Sequence, residues 1–254
     1  MQVTMATRAR HMRACSMRSC ASGVAKKTKG KVVEHVVLFK AKEDAEKDAL
    51  KKMMDGLWSL QYRIPNVLYI DVGEVMEGEK HSEGYTHVLF VRLRDKEALK
   101  AYADHPQHLE VVEDLVKPNV VGILALDYVG QVLDDIGPTF HKGRDWEEGY
   151  NHIRLLKFAD KHRAKADAFL SRYEDLTFLA SELPLQITAG ENFSHGRCQG
   201  YTHGTMARFT MEEELKAFKE HPSTISALKS IDDMLDGEIQ VTFHVTRAHG
   251  TQNR

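Results

Sequence analysis

Cysteine is scarce in this chain: three occur among 254 residues, at Cys15, Cys20 and Cys198. The count is odd, and neither a Cys-x-x-Cys pair nor a histidine cluster has zinc-ligand spacing. That argues against a disulfide framework or zinc site and for a reducing compartment. No apolar run approaches the ~18 residues of a membrane-spanning helix, so no membrane partner is expected. Phosphate-cradling glycine loops and the His-Glu-x-x-His zinc motif are also missing. Acidic side chains are absent from residues 1–33, which hold eight of the 35 Lys and Arg residues. The other 27 basic groups face 37 acidic ones, a net of −10 over the rest of the chain. An acidic body argues against nucleic acid as a partner, because phosphate binding requires a basic surface.

What is present begins with that basic leader. Residues 1–31 are rich in Ala, Ser and Arg and have no apolar core of the secretory kind. This is the composition of an organelle transit peptide, with the plastid as the expected destination. A disordered basic tail or a misassigned start leaves mitochondrion, peroxisome or cytosol as alternatives.

The body carries one frame twice. Glu83–His108 reads EGYTHVLFVRLRDKEALKAYADHPQH, and Gln199–Thr224 reads QGYTHGTMARFTMEEELKAFKEHPST. Gly-Tyr-Thr-His recurs as Gly84–His87 and Gly200–His203. His-Pro recurs as His105-Pro106 and His221-Pro222. Tyr102 becomes Phe218 and His108 becomes Thr224, so only the first frame keeps a phenol and a second histidine at its helix exit.

Around each frame the periodicity predicts β-α-β-β-α-β. In copy one, Val33, His35, Val37 and Phe39 share a strand face, and Tyr85, His87, Leu89, Val91 and Leu93 share another. Ala49, Met53, Leu57 and Leu60 form a helical stripe that must end before Pro65. Asp95 caps the second helix, and Thr210 with Glu213 forms a capping box in copy two. His152 occupies the place of His35. The expected domains are residues 32–129 and 149–246, joined by a linker at 130–148 and followed by a polar tail at 247–254. Each four-stranded antiparallel sheet has helices on one face and bare Val, Leu and Phe on the other. The α+β fold expected is therefore two tandem ferredoxin-like domains whose sheets face each other in an intrachain barrel.

These residues resemble the stress-responsive A/B barrel (Dabb) domain family, in its tandem plant form. Copy one matches at Glu34–Lys40, Ile64-Pro65, Glu83–His87 and Tyr102–His108. Copy two matches at Asn151-His152, Leu183-Pro184, Gly200–His203 and Phe218–Pro222. The resemblance implies a stress-associated protein that binds a small apolar or aromatic ligand or serves as a stable scaffold. It also includes a cofactor-free polyketide cyclase, which implies an aldol-type cyclisation with His108 and Tyr102 as the acid–base pair. His35, His87, Tyr85 and His105 are then candidate pocket residues, with Leu57 standing where that enzyme has a tyrosine. Structural roles compete: His105 and His108 could satisfy backbone groups beside Pro106, and His35 and His87 could be core residues. Family members with a cation on main-chain carbonyls imply a Mg2+ site near Leu57, Leu60, Gln61 and Arg63. Antimicrobial relatives imply self-association as a third possibility.

Overall fold

The computed structural model describes residues 29–76, 81–133, 148–176 and 186–245. The leader up to residue 28, residues 134–147 of the linker, Leu183-Pro184 and the tail lie outside them. Copy one comprises β1 (Lys29–Ala41), α1 (Lys47–Ser59), β2 (Val67–Glu74), β3 (His87–Leu93), α2 (Lys96–Asp104), α3 (Pro106–Val111) and β4 (Val120–Leu133). Copy two comprises β5 (Gly149–Phe158), α4 (Ala166–Glu174), β6 (Gln186–Glu191), β7 (His203–Phe209), α5 (Glu212–Glu220), α6 (Pro222–Lys229) and β8 (Leu235–Val245). The sheets are antiparallel, with strand orders β2-β3-β1-β4 and β6-β7-β5-β8. This is the tandem ferredoxin-like architecture the periodicity predicts.

Both faces of each sheet are covered, which explains why the strands are apolar on alternate residues of either parity. Val33, Val37 and Phe39 of β1 pack under the helices with Met53, Leu57 and Tyr102. Val36 and Leu38 point the other way and meet Ile153, Leu155, Met206 and Phe243 of copy two. The two sheets thus share one buried layer. Their edges are stitched by single bridges, Val75 to Phe243 and Tyr128 to Asn192. Gly190 and Gly204 permit the close approach of β4, since a Cβ at either would fall within 2.9 Å of the Tyr128 ring.

Polar groups inside the barrel are matched across it. Glu34 takes a forked hydrogen-bonded ion pair from Arg92 within copy one, with Nε at 3.0 and 3.1 Å from its two oxygens. In copy two Asn151 stands where Glu34 does, so β5 offers Arg208 an amide oxygen, at 2.9 Å, in place of a carboxylate. The missing carboxylate comes from Asp71 of copy one, which pairs with Arg208 and accepts from Asn151 at 2.9 Å. The ring of Tyr69 lies between the two guanidiniums, 4.9 Å from Arg92 and 4.8 Å from Arg208.

Three local expectations change. Residues 130–133 are strand rather than linker, because they pair in register with Val32 back to Lys29. The capping box of α5 sits one residue later than its sequence suggests. Glu214, not Glu213, reaches back, accepting from the amides of Thr210 (2.9 Å) and Met211 (3.2 Å). Tyr85 does not share the face of His87. It precedes the regular alternation of β3, after a turn in which Glu83 and Gly84 have φ of 50° and 78°. Its ring lies in the layer between the sheets, under Lys40.

Candidate functional site

The helices of copy one do not close fully on their sheet. A cavity of about 570 Å³ remains between α1, α2, α3 and the inner face of β1 and β4. Its walls are mostly apolar, with Val37, Phe39, Leu57, Leu89, Leu99 and Ile123 among them. Four of the titratable groups that line it are buried or half-buried: His35, Tyr102, His108 and Asp127.

Each is placed by local sequence. His35 and Asp127 are directly opposite in the β1–β4 ladder, and His35 Nδ1 lies 2.5 Å from Asp127 Oδ1. The carboxylate holds a proton on Nδ1. Burial works to raise the Asp127 carboxyl, but the charge and hydrogen bond of His35 outweigh it and hold the group below the usual carboxylate range. Tyr102 is on the buried face of α2, with its ring edge-on to His35 at 6.0 Å. Its hydroxyl has no hydrogen-bond partner among the described residues, and burial pushes the phenol well above its ordinary value. The Tyr102 side chain therefore remains a proton donor across the physiological range.

His108 stands on α3, its ring 4.6 Å from that of Tyr102. Its Nδ1–H donates to the Ala103 carbonyl at 3.1 Å, which leaves Nε2 unprotonated and available. Burial lowers its affinity for a proton, with Arg197 and His35 adding to the effect. The Ala103 hydrogen bond opposes this, and the balance favours the neutral ring.

The other sequence candidates lie elsewhere. His105 Nδ1 accepts from the Gln107 amide at 3.2 Å and caps α3, as His221 caps α6 through Ser223. His87 is outside the cavity at the far end of β3, held by the Thr86 hydroxyl at 2.9 Å, and His203 is held likewise by Thr202. Tyr85 is on the opposite side of the sheet. At the suggested Mg2+ segment, the Leu60 carbonyl already accepts from the amides of Arg63 and Ile64. The Leu57 carbonyl accepts the amide of Leu60. Among the described residues no three His, Cys, Asp or Glu side chains gather as a metal site.

Sequence reasoning missed two contributions. Asp127 is a lone acid in the apolar run VVGILALDY, and pairing it with the lone histidine of β1 would have found it. The second is a loop from copy two. Phe193, Ser194, Gly196 and Arg197 form part of the cavity wall. The loop is pinned on β4 by the Phe193 amide to Asp127 O (3.0 Å) and by the Ala125 amide to Arg197 O (3.1 Å).

Among the described residues copy two has no equivalent constellation. Phe218 replaces Tyr102, Thr224 replaces His108, and Thr242 faces His152 where Asp127 faces His35. Phe158, Phe169, Tyr173, Phe209 and Phe218 pack ring against ring in the space under its helices. Where copy two has Phe169, Tyr173 and Phe209, copy one has the smaller Met53, Leu57 and Leu93.

A family model described as Stress responsive A/B Barrel Domain matches residues 33–130 and 150–245. The chain is 30% identical over 217 residues to the stress-response A/B barrel domain-containing protein DABB1 of Arabidopsis thaliana, covering 84% of this chain and 97% of the relative. It is 29% identical over 218 residues to another stress-response A/B barrel domain-containing protein of the same plant, covering 84% of this chain and 79% of that relative. A shorter protein of the same description, also from Arabidopsis thaliana, matches 38% of this chain over 87% of its own length, at 26% identity. Among solved structures, a provisionally assigned monooxygenase from Fusobacterium nucleatum superposes with a TM-score of 0.64 at 10% identity, covering 86% of this chain and 94% of its own. An anthrone oxidase-like protein gives 0.60 at 10%, covering 85% and 92%. At such identities these two structures speak to the fold alone.

Proposed function

From the premise that this chain belongs to the stress-responsive A/B barrel domain family, we propose that copy one is its ligand-binding unit. The ligand is a small, largely apolar or aromatic molecule, and copy two serves as the structural partner. One observation carries this reading: a cavity of about 570 Å³ in copy one with a mostly apolar wall, into which His35, Tyr102, His108 and Asp127 are set and whose border is charged. That size and composition are typical of small-molecule sites. A pure scaffold would gain from filling it, as the aromatic rings do in copy two. Mass spectrometry of the purified chain after exposure to a plant extract tests the reading. One compound per chain should be retained, and lost when Ala125→Phe fills the cavity. Equal retention by both proteins, or none by either, refutes it.

A second reading is favoured by the chemistry of the wall. His108 Nε2 is a neutral base, and the Tyr102 O–H is a free donor whose ring lies 4.6 Å from that of the histidine. Such a pair can take a proton from carbon beside a carbonyl while the phenol donates to the developing enolate oxygen. The enolate carbon then closes a ring on a second carbonyl, whose oxygen takes up a proton. This is cofactor-free cyclisation of the polyketide type. His108→Ala should abolish turnover of a polyketide thioester. A wild-type chain that neither binds nor converts such compounds removes the reading. The basic leader supports a plastid location, although it lies outside the described residues.

A further inference from the structure

The cavity mouth carries a charge that its walls do not explain. Four cationic side chains border it: Lys96, Lys100, Lys117 and Arg197. Two are compensated, Lys100 by Asp104 at 2.6 Å and Lys117 by Glu113. Lys96 and Arg197 have no carboxylate partner among the described residues. Lys96 instead sits 4.0 Å over the Phe193 ring, which fixes its ammonium at the lip. Arg197 is exposed, but its backbone is tied to β4 through Ala125. Two uncompensated cations at one opening stand out on a body whose net charge from residue 34 onward is −10.

The inner end has the opposite need. The Tyr102 hydroxyl is a donor without an acceptor, and Asp127 is already engaged by His35. A buried donor left unpaired is costly, and an occupant that brings an acceptor to this end relieves the cost once the fully buried Tyr102 side chain shifts toward it. A wholly apolar occupant would leave both ends unmatched.

We propose that this cavity selects amphipathic acids: molecules with an apolar or aromatic body, a carbonyl or phenolic oxygen at the inner end, and an anionic group at the mouth against Arg197 and Lys96. The proposal rests on the reading that copy one binds a small molecule, and it names the class. It also gives copy two a direct part in recognition, because Arg197 and Phe193 come from its loop.

A matched pair of probes tests it on the full chain: 1-anilinonaphthalene-8-sulfonate and its uncharged counterpart N-phenyl-1-naphthylamine. They share a ring system and differ in the acid. The sulfonate should bind about five-fold more tightly, the size expected of a partly exposed ion pair. Arg197→Gln should remove most of that preference and leave the uncharged probe unaffected. Raised salt should do the same. Ala125→Phe or, should that variant fail to fold, Leu99→Trp should abolish both signals. Equal binding of the two probes, insensitive to Arg197→Gln, overturns the acid preference while leaving the cavity reading intact. Absence of binding by either probe, or binding that survives the cavity-filling variant, overturns the cavity reading and this one with it.

Discussion

Asp71→Thr is the most demanding perturbation of the barrel, because Thr188 is the residue at the equivalent position of copy two. Asp71 is 1% exposed and Arg208 3%, so the substitution removes the carboxylate paired with a buried guanidinium, which keeps the Asn151 amide and the Tyr69 ring beside it. Arg cannot shed its proton to escape. Removing one partner of a buried pair costs about 3–5 kcal/mol. For a chain of this size that lowers the melting temperature by roughly 10 °C. Denaturant titration followed by circular dichroism reads the loss, and Asn151→Glu supplies the control. In the Asp71→Thr background it rebuilds around Arg208 the arrangement that Glu34 makes around Arg92. It should return at least about 2 kcal/mol, a coupling well above the additivity error. A loss below about 1 kcal/mol, or no recovery with Asn151→Glu, would refute the claim that Arg208 depends on a carboxylate from the other copy.

Other outcomes follow from the same geometry. Tyr102→Phe removes a buried hydroxyl with no partner among the described residues, so stability should hold or rise by up to about 1 kcal/mol while ligand retention falls. Acid should weaken the fold through the buried histidines. Burial holds His152 well below its ordinary pKa of 6.5, and His87 and His203 below it too. Their stabilisation is complete above about pH 6.5 and is lost as pH falls from there through the lowered folded values, with a slope of up to about 1.4 kcal/mol per pH unit for each. His152→Gln should flatten that slope between about pH 7 and 5, and unfolding curves across this range measure it. N-terminal sequencing of the native protein should find the leader removed ahead of β1; an intact Met1 would exclude a cleaved transit peptide.

The fold was legible because one pattern is written twice. Gly-Tyr-Thr-His and His-Pro mark equivalent places, and the structure shows what they hold. Thr86 ties the end of β1 to the start of β3, and His105 caps a helix. Comparison of the copies also singled out Tyr102 and His108, which copy two replaces with Phe218 and Thr224. The rest of the site was harder to read. Asp127 looked like a blemish in an apolar strand, and only the β1–β4 register sets it against His35. Alternation placed Tyr85 on the wrong face, because the rule holds within a strand and Tyr85 precedes one. The Phe193–Arg197 loop left no local signal. It lines a cavity in the other copy, and contacts between distant segments depend on the assembled barrel.

The division of charge between Asp71, Asn151 and Arg208 has a consequence for pairing. Two copies of the second half, paired with each other, would bury two guanidiniums and no carboxylate near them. Two copies of the first would bring an extra Asp71 toward each satisfied Glu34–Arg92 pair. Either exchange is penalised, which favours pairing of the two halves with each other over pairing of either with a second copy of itself. With Glu34 in one half and Asn151 in the other, the joined chain avoids an electrostatic cost that a self-pairing half would carry.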